Sequence, residues 1–567
     1  MRLTRCGMWM VVAVLLMSAT ASADFLVYHI GGKSGGGGRR RSGGPPGGMG
    51  MASGMPGAPA GGPPGMGGMP GAPNPGASGA PDRRIILQGK CAVESAQTVS
   101  YEHPTFKEKL YFSTDDVTIY KAKTLKDEYK AMLNKSAKDP DLMMQAAVFA
   151  LKKGMLKDFY ETVDKVLKVN PDHEAAKRVK ELRKRIEETL PDKPETEKRL
   201  RSVVKRSGME IKKSKHYILL HDTPQKPEKG HTKNRADERL DLLEKVYESF
   251  LQFFFAQDIE LNIPEERMMV VLFHSEKDFL DYATSVNPSL KSALGFWSRL
   301  NNVAVFYDRG TSEEFEELNE VLKATKKRAD EVKKDARRSG PGGGGAGQPG
   351  GPGMGGGATQ AADYIRLAKT LELLVNVEKE NADITTVSHE CVHQLAGNTG
   401  LLPRHVEIPT WVHEGLATYF EAPGDATWSG IGAVNDLRLT WYKALEDDRV
   451  HSNVKFIATN QVFGFARSHG GIVHGYGQAW ALTHFLMETR IDKFVAYYRT
   501  LGDMPASTPL NPDLLYEIFS SVFGDDQKTL DQDWRAYMRA LQTDMQRQAP
   551  EIMEDKDLEP SRGPRRR

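Results

Sequence analysis

The chain has few cysteines and, beyond its first residues, no long apolar run. Only three cysteines occur in 567 residues, so no disulfide framework can form. Cys6 lies in the N-terminal segment ahead of the apolar run, which leaves Cys91 and Cys391. We expect Cys391 to be a buried thiol rather than one half of a bridge. Because no later segment is apolar enough to span a bilayer, no transmembrane anchor is predicted.

An excess of charge of either sign is also absent. The formal net charge is +2, and loss of Arg2 and Arg5 with the N-terminal segment would leave equal numbers of acidic and basic side chains. A nucleic-acid partner is therefore not predicted. A hydrophobic content of 39% is sufficient for one large domain or several ordinary ones.

Residues 1–23 have the pattern of a secretory signal peptide. Basic residues precede an apolar run from Met8 to Met17, which is too short to cross a membrane, and Ala21, Ser22 and Ala23 form an A-x-A cleavage site. We expect the mature protein to begin near Asp24 and to be exported, to the periplasm or the extracellular space.

Residues 24–84 are interpreted as a linker, and residues 548–567 as a disordered tail. The stretch 31–81 is rich in Gly, Pro and Met, a composition that cannot bury enough surface to fold. Methionine thioethers could bind Cu(I), but irregular spacing without histidines favours a plain tether. These methionines are Met49, Met51, Met55, Met66 and Met69.

Residues 85–205 are predicted to be mainly helical after a strand-like opening at 109–112. Their helical part resembles one and a half tetratricopeptide units, too few for a solenoid. We expect a helical pair packed against the neighbouring domain, with a peptide-binding groove as the alternative. Residues 206–311 then alternate strands and a helix, which predicts an α/β subdomain with its last strand at Val303–Tyr307.

Residues 312–360 interrupt this pattern. The stretch 313–338 is acidic at its start and basic at its end, as the helix dipole favours, and a Gly-rich stretch follows it. We interpret the segment as a surface insertion, with a mobile cover over a cleft as the alternative.

Residues 361–422 contain the candidate metal ligands. His389 and His393 stand at i and i+4, so both imidazoles lie on one face of a helix, for which Asp383 is the expected N-cap. Glu390 projects beside this pair and can accept a proton from water. Glu414, on a second helix after a proline, is the candidate third ligand.

The stretch HECVHQLAGN, followed by WVHEGLATYFE, resembles the gluzincin zinc metallopeptidases, especially the aminopeptidase N type and exported bacterial gluzincin-like domains of unknown function. The resemblance implies an α+β fold with a small mixed sheet over a mostly helical lower subdomain, here 423–547. It also implies one Zn²⁺ ion bound by His389, His393 and Glu414. The longer spacing between His393 and Glu414 indicates a distant relationship.

Tyr476 follows Glu414 by 62 residues, at a predicted helix start. It is similar to the tyrosine that donates its phenol to the oxyanion in aminopeptidase N-type enzymes, and His474 is the alternative donor. The resemblance thus implies peptide hydrolysis with Glu390 as general base. Val303–Tyr307 is then the candidate edge strand for a protein or peptide substrate. No G-x-M-E-N segment precedes HExxH, so an endopeptidase is favoured over an exopeptidase.

The competing interpretation is a non-catalytic exported scaffold or binding module with a degenerate or structural zinc site. A structural site would need a fourth protein ligand, for which His413 is nearest. Being adjacent to Glu414 on a helix, it points about 100° away, which favours an open catalytic site. The sequence does not indicate an oligomeric state.

Overall fold

The computed structural model describes residues 24–30, 84–228, 230–338, 356–468 and 471–554. The predicted signal peptide, nearly all of the Gly/Pro/Met-rich stretch and the Gly-rich part of the insertion lie outside these ranges. The described part is a mixed α+β structure in which helices predominate. It contains no helix with the length and hydropathy needed to cross a bilayer.

The first sheet is antiparallel and has the strand order β4-β3-β2-β1-β5. Its strands are β1 Asp24–His29, β2 Arg84–Ser95, β3 Thr98–Glu102, β4 Lys109–Ser113 and β5 Val117–Lys121. The predicted linker 24–84 is therefore wrong at its start, because residues 24–29 form an inner strand. The strand-like opening predicted at 109–112 is β4, one strand of a larger sheet. β1 is buried on both faces, so its sequence is a short apolar run without the alternation that marks a half-exposed strand. Such a run does not indicate which strands it pairs with.

A group of helices follows this sheet. They are α1 Leu125–Lys135, α2 Pro140–Lys152, α3 Leu156–Val169, α4 Glu174–Glu187 and α5 Pro194–Val204. α2 and α3 pack as a hairpin that turns at Gly154, which has a positive φ of 66°. The hydroxyl of Tyr160 on α3 donates to Glu248 Oε1 at 2.5 Å, and this bond ties the hairpin to the next part of the chain.

The second sheet has the order β6-β7-β8-β10-β9. Its strands are β6 Glu210–Lys213, β7 Tyr217–His221, β8 Met268–Phe273, β9 Gly295–Ser298 and β10 Val303–Tyr307, and its helices are α6 Arg235–Ala256 and α7 Glu276–Val286. The proposed edge strand Val303–Tyr307 is wrong, because β10 is an inner strand paired with both β8 and β9. Its continuous burial is typical of an inner strand, whereas β9 is short, half-buried and outermost.

The metal-site helix is longer than expected. The insertion supplies α8 Glu313–Arg338, which packs along α9 Gly356–Asn398, and Lys326 Nζ lies 2.9 Å from Glu372 Oε1 between them. Asp383 is not an N-cap, because α9 continues through it. Its buried carboxylate accepts instead from Arg239 Nη2 at 3.1 Å and from the Arg309 backbone N–H at 2.9 Å. This mid-helix aspartate is therefore a buried partner of an arginine rather than a helix cap.

The remaining chain is helical apart from a small ribbon of β11 Pro423–Gly424 and β12 Thr427–Trp428. The helices are α10 Thr410–Phe420, α11 Asp436–Leu445, α12 Val454–Ala458, α13 Gln461–Ser468, α14 Val473–Thr489, α15 Ile491–Gly502, α16 Pro512–Phe523, α17 Gln527–Ala540, α18 Asp544–Gln548 and α19 Pro550–Glu554. The predicted disordered tail is wrong at its start, since Ile552 of α19 is fully buried beside Phe25 of β1. This contact spans nearly the whole chain, so local composition does not reveal it.

Both described cysteines are buried free thiols. Cys391 lies on the side of α9 that faces the second sheet, where its sulfur is 3.2 Å from the Tyr217 hydroxyl. Burial raises the pKa of this thiol to about 12. It is therefore protonated and packs as a small apolar side chain, as expected from the sequence.

Candidate metal centre

The side chains of His389, His393 and Glu414 converge on one point between α9 and α10. Nε2 of His389 lies 3.1 Å from Nε2 of His393 and 3.1 Å from Glu414 Oε2. His393 Nε2 lies 3.7 Å from the same carboxylate oxygen. The helix places the histidines one turn apart, and packing of α10 on α9 adds the glutamate.

This donor set fits a small divalent cation. Ligands on a tetrahedral ion with bonds of about 2.0–2.2 Å lie about 3.3–3.6 Å apart, close to the three separations found here. Two imidazole nitrogens and one carboxylate oxygen are also a ligand combination that suits zinc. The residues present therefore fit such an ion and would supply three of its ligands.

His413 lies beside the ligands but does not join them. Its ring stacks on that of His393, with centroids 3.8 Å apart and planes 8° from parallel. A histidine binds a metal in the plane of its ring, and two parallel planes at this separation do not share a metal position. Burial lowers the pKa of His413 well below its usual value, so it is a neutral packing partner.

Glu421 supports the site from behind, and sequence reasoning did not identify it. This fully buried carboxylate accepts from His389 Nδ1 at 2.7 Å. Arg438 Nε donates to its other oxygen at 2.6 Å and Asn435 Nδ2 at 3.0 Å. The bond fixes the proton of His389 on Nδ1 and leaves Nε2 free for a metal. The available signal was spacing, because Glu421 follows Glu414 by seven residues, two helical turns.

Glu390 is buried directly beside the ligands. Burial is the largest cause that raises the pKa of its carboxyl group. Within the described residues its Oε2 has no hydrogen-bond partner, which leaves this oxygen free to accept from a water or a substrate. Its neighbour is Gly295 of β9, where an added Cβ would lie 3.0 Å from Glu390 Cγ and 2.8 Å from Thr386 Cγ2. The edge strand can approach Glu390 this closely only because position 295 has no side chain.

Tyr476 lies in the first turn of α14, as the sequence predicts. The carboxylate of Glu414 is the largest cause that raises the pKa of its phenol, and burial adds to it. The Arg438 guanidinium lies 5.1 Å from the ring centroid. The structure therefore places this tyrosine within electrostatic reach of the ligands. His474 Nδ1 lies instead 3.4 Å from the carbonyl oxygen of Trp441.

Close packing of α10 against α14 sets the position of Glu414. A Cβ at Gly415 would lie 2.1 Å from Thr483 Oγ1 and 3.0 Å from the carbonyl oxygen of Ala479. Gly415, next to Glu414, thus lets α10 and α14 pack closely, because it has no side chain at the contact.

A family model described as a protein of unknown function, DUF1570, matches residues 383–510. No curated protein and no solved structure matches the chain. The matched stretch contains the three converging ligand residues together with Glu390, Glu421 and Tyr476.

Proposed function

We propose that this protein is a gluzincin-type zinc metallopeptidase that hydrolyses peptide bonds in exported or cell-envelope proteins, as an endopeptidase. The observation that carries the proposal is the convergence of His389, His393 and Glu414 around one point, with Glu390 buried beside them. Three protein ligands and one open position are typical of catalytic zinc, whereas structural zinc has four protein ligands. Export follows from the pattern of residues 1–23.

One Zn²⁺ ion, when bound, supplies Lewis-acid chemistry that acidifies water and polarises a carbonyl group. Glu390 takes the proton of the attacking water at its free carboxylate oxygen and returns it to the leaving amine. Tyr476 donates a hydrogen bond from its phenol to the developing oxyanion. The raised pKa of this phenol keeps it protonated at neutral pH. Glu421 holds the His389 ring in the required tautomer.

A polypeptide substrate fits the outer edge of β9. In the described residues, β9 is paired only on its β10 side, so its other edge offers backbone donors and acceptors to an extended chain. Gly295 brings this edge against Glu390. Main-chain pairing here would present successive peptide bonds to the site with little dependence on their side chains.

Metal analysis and cleavage of an unstructured protein test the proposal together. Purified wild-type protein should contain about one zinc per chain and cleave casein in a chelator-sensitive manner. Glu390→Gln should retain zinc and lose cleavage, because the amide cannot accept the proton. Comparable cleavage by Glu390→Gln would refute the base assignment. Bound zinc without cleavage of any peptide would instead favour the non-catalytic scaffold.

A further inference from the structure

The edge strand β9 connects two cavities on either side of Glu390. Leu294, directly before β9, lines a cavity of about 560 Å³. Trp297 of β9 and Arg299 just after it line a second cavity of about 300 Å³. Because Gly295 contacts Glu390 between them, a chain extended along β9 would place its side chains in both cavities.

The smaller cavity lies directly at the metal centre, because Glu414 and His413 form part of its wall. The indole of Trp297 stacks on His413, with ring centroids 5.9 Å apart, and closes one side. Leu402 and Val406 contribute apolar surface. A substrate side chain in this cavity therefore belongs to a residue next to the scissile bond.

Two arginines line this cavity together with the candidate ligand Glu414. Arg299 and Arg404 both line it and are exposed, and in the described ranges neither lies within ion-pair distance of a carboxylate. Nη1 of Arg299 donates to the carbonyl oxygen of Val406 at 2.8 Å, which fixes the guanidinium at the cavity wall. Arginine presents several donors in a planar fork that matches a carboxylate.

The larger cavity has the opposite character. Carboxylates line it, and its two arginines lie close to acidic groups: Arg438 binds Glu421, and Arg309 lies 3.9 Å from Glu314. The acidic residues are Glu314, Glu378, Glu421, Asp425, Asp436 and Asp544. Both arginines of the larger cavity already have an acidic neighbour, so an acidic substrate side chain is favoured at the other end of β9.

We propose that Arg299 and Arg404 receive the side chain of an aspartate or glutamate next to the scissile bond, so that the substrate is a polypeptide cleaved at acidic residues. The inference rests on the proposed peptidase function. It names a specificity that the ligand set alone does not give, since a metal site hydrolyses peptide bonds irrespective of the neighbouring side chains.

Positional scanning of peptides tests this preference. A series of otherwise identical decapeptides carries Glu, Ala or Lys at each position around the cleaved bond, and kcat/KM is measured by mass spectrometry. At one position, on one side of the cleaved bond only, kcat/KM of the Glu peptide should exceed that of the Lys peptide by about tenfold or more. A hydrogen-bonded charge pair contributes a preference of this size. Equal kcat/KM for Glu and Lys at every position would overturn the inference and leave the peptidase function standing.

Charge reversal identifies the residues responsible. Arg404→Glu should invert the preference, so that the Lys peptide becomes the better substrate. Arg449→Glu makes the same charge change on an exposed arginine that lines neither cavity, and it should keep the Glu preference. Thermal unfolding of both variants shows whether they fold. A folded Arg404→Glu that retains the wild-type preference contradicts the assignment.

If no peptide is cleaved, the proposed hydrolysis is refuted. Peptide binding then tests whether the arginine cavity prefers an acidic side chain. The zinc-loaded Glu390→Gln protein is titrated with fluorescent Glu and Lys decapeptides, and Kd is read from anisotropy. The Glu peptide should bind about tenfold more tightly, and Arg404→Glu should remove the difference. Equal Kd values would overturn the arginine pocket itself.

Discussion

His389 donates its Nδ1 hydrogen to the buried carboxylate of Glu421 across 2.7 Å, so the two residues form a carboxylate–histidine pair behind the metal position. Arg438 holds the same carboxylate through two of its nitrogens, at 2.6 and 3.0 Å. Because Glu421 is completely buried, water cannot replace it as the acceptor. The orientation of the first histidine therefore depends on a residue outside the ligand set.

Glu421→Gln should weaken zinc binding. The amide keeps the shape but loses the charge that favours the Nδ1–H tautomer, and loss of such a partner typically costs about 10–100-fold in metal affinity. Competition with a chromophoric chelator measures the affinity. Glu488→Gln removes a comparable acceptor of Lys152 and Tyr419 away from the site and serves as the control. An unchanged affinity in Glu421→Gln would show that the pair does not tune the metal.

Gly415→Ala should destabilise the fold by about 1–3 kcal/mol, the usual cost of overpacking a core. The added methyl group meets Thr483 Oγ1 at 2.1 Å and would push α10 away from α14. Urea unfolding measures the change. Thr483→Ala in the same chain should recover part of the loss, because it removes the closest atom.

Gly464→Ala is the matched control for this substitution. An added Cβ at this position has no atom within 4 Å, so the free energy of unfolding should stay the same or rise slightly. Equal losses in the two alanine variants would indicate a backbone effect rather than helix packing.

Gly295→Ala should lower kcat and leave zinc bound. Its Cβ would lie 2.8 Å from Thr386 Cγ2 and 3.0 Å from Glu390 Cγ, so the base must shift while the ligands keep their places. Misplacing a catalytic group by about 1 Å can cost about 100-fold in rate. Steady-state cleavage of a fluorogenic peptide, with metal content determined on the same sample, checks the prediction. Loss of zinc together with activity would contradict it.

Stability should fall as the pH decreases from about 6.5 to about 4, in part because of His484. Burial lowers the pKa of this histidine to about 4, and its ring bonds the Tyr537 hydroxyl and the carbonyl oxygen of Gly432. Between the two pKa values the unfolded chain binds a proton that the folded chain does not, so acid favours unfolding. The contribution is roughly 3 kcal/mol at most.

His484→Gln isolates this contribution. The free energy of unfolding is measured in urea at several pH values, and the difference between wild type and variant should shrink as the pH falls through this window. His451→Gln, at a histidine half-exposed beside Asp448, is the control. A difference that is constant with pH would show that His484 does not titrate as described.

The two candidate histidine ligands were within reach of sequence reasoning because their geometry is local. The i, i+4 spacing of the histidines fixes their common face once a helix forms, and α10 begins after Pro409 as expected. Tyr476 was singled out by its resemblance to the oxyanion tyrosine of the aminopeptidase N type, and its position in the first turn of α14 agrees with the predicted helix start. The edge strand was not predicted correctly. β9 and β10 are both short, and only the pairing of β10 on both sides identifies it as an inner strand.

The sequence by itself determined that His389 and His393 share one helix face, since the repeat of an α-helix specifies which side chains lie together. Only the tertiary structure decided that Glu414 joins the histidines, that β1 is an inner strand packed with α19, and that Arg299 and Arg404 line one cavity with Glu414. These contacts join residues far apart in the chain. Burial and pairing with distant residues determine these contacts, and the composition of a short stretch does not indicate which distant residues will be its partners.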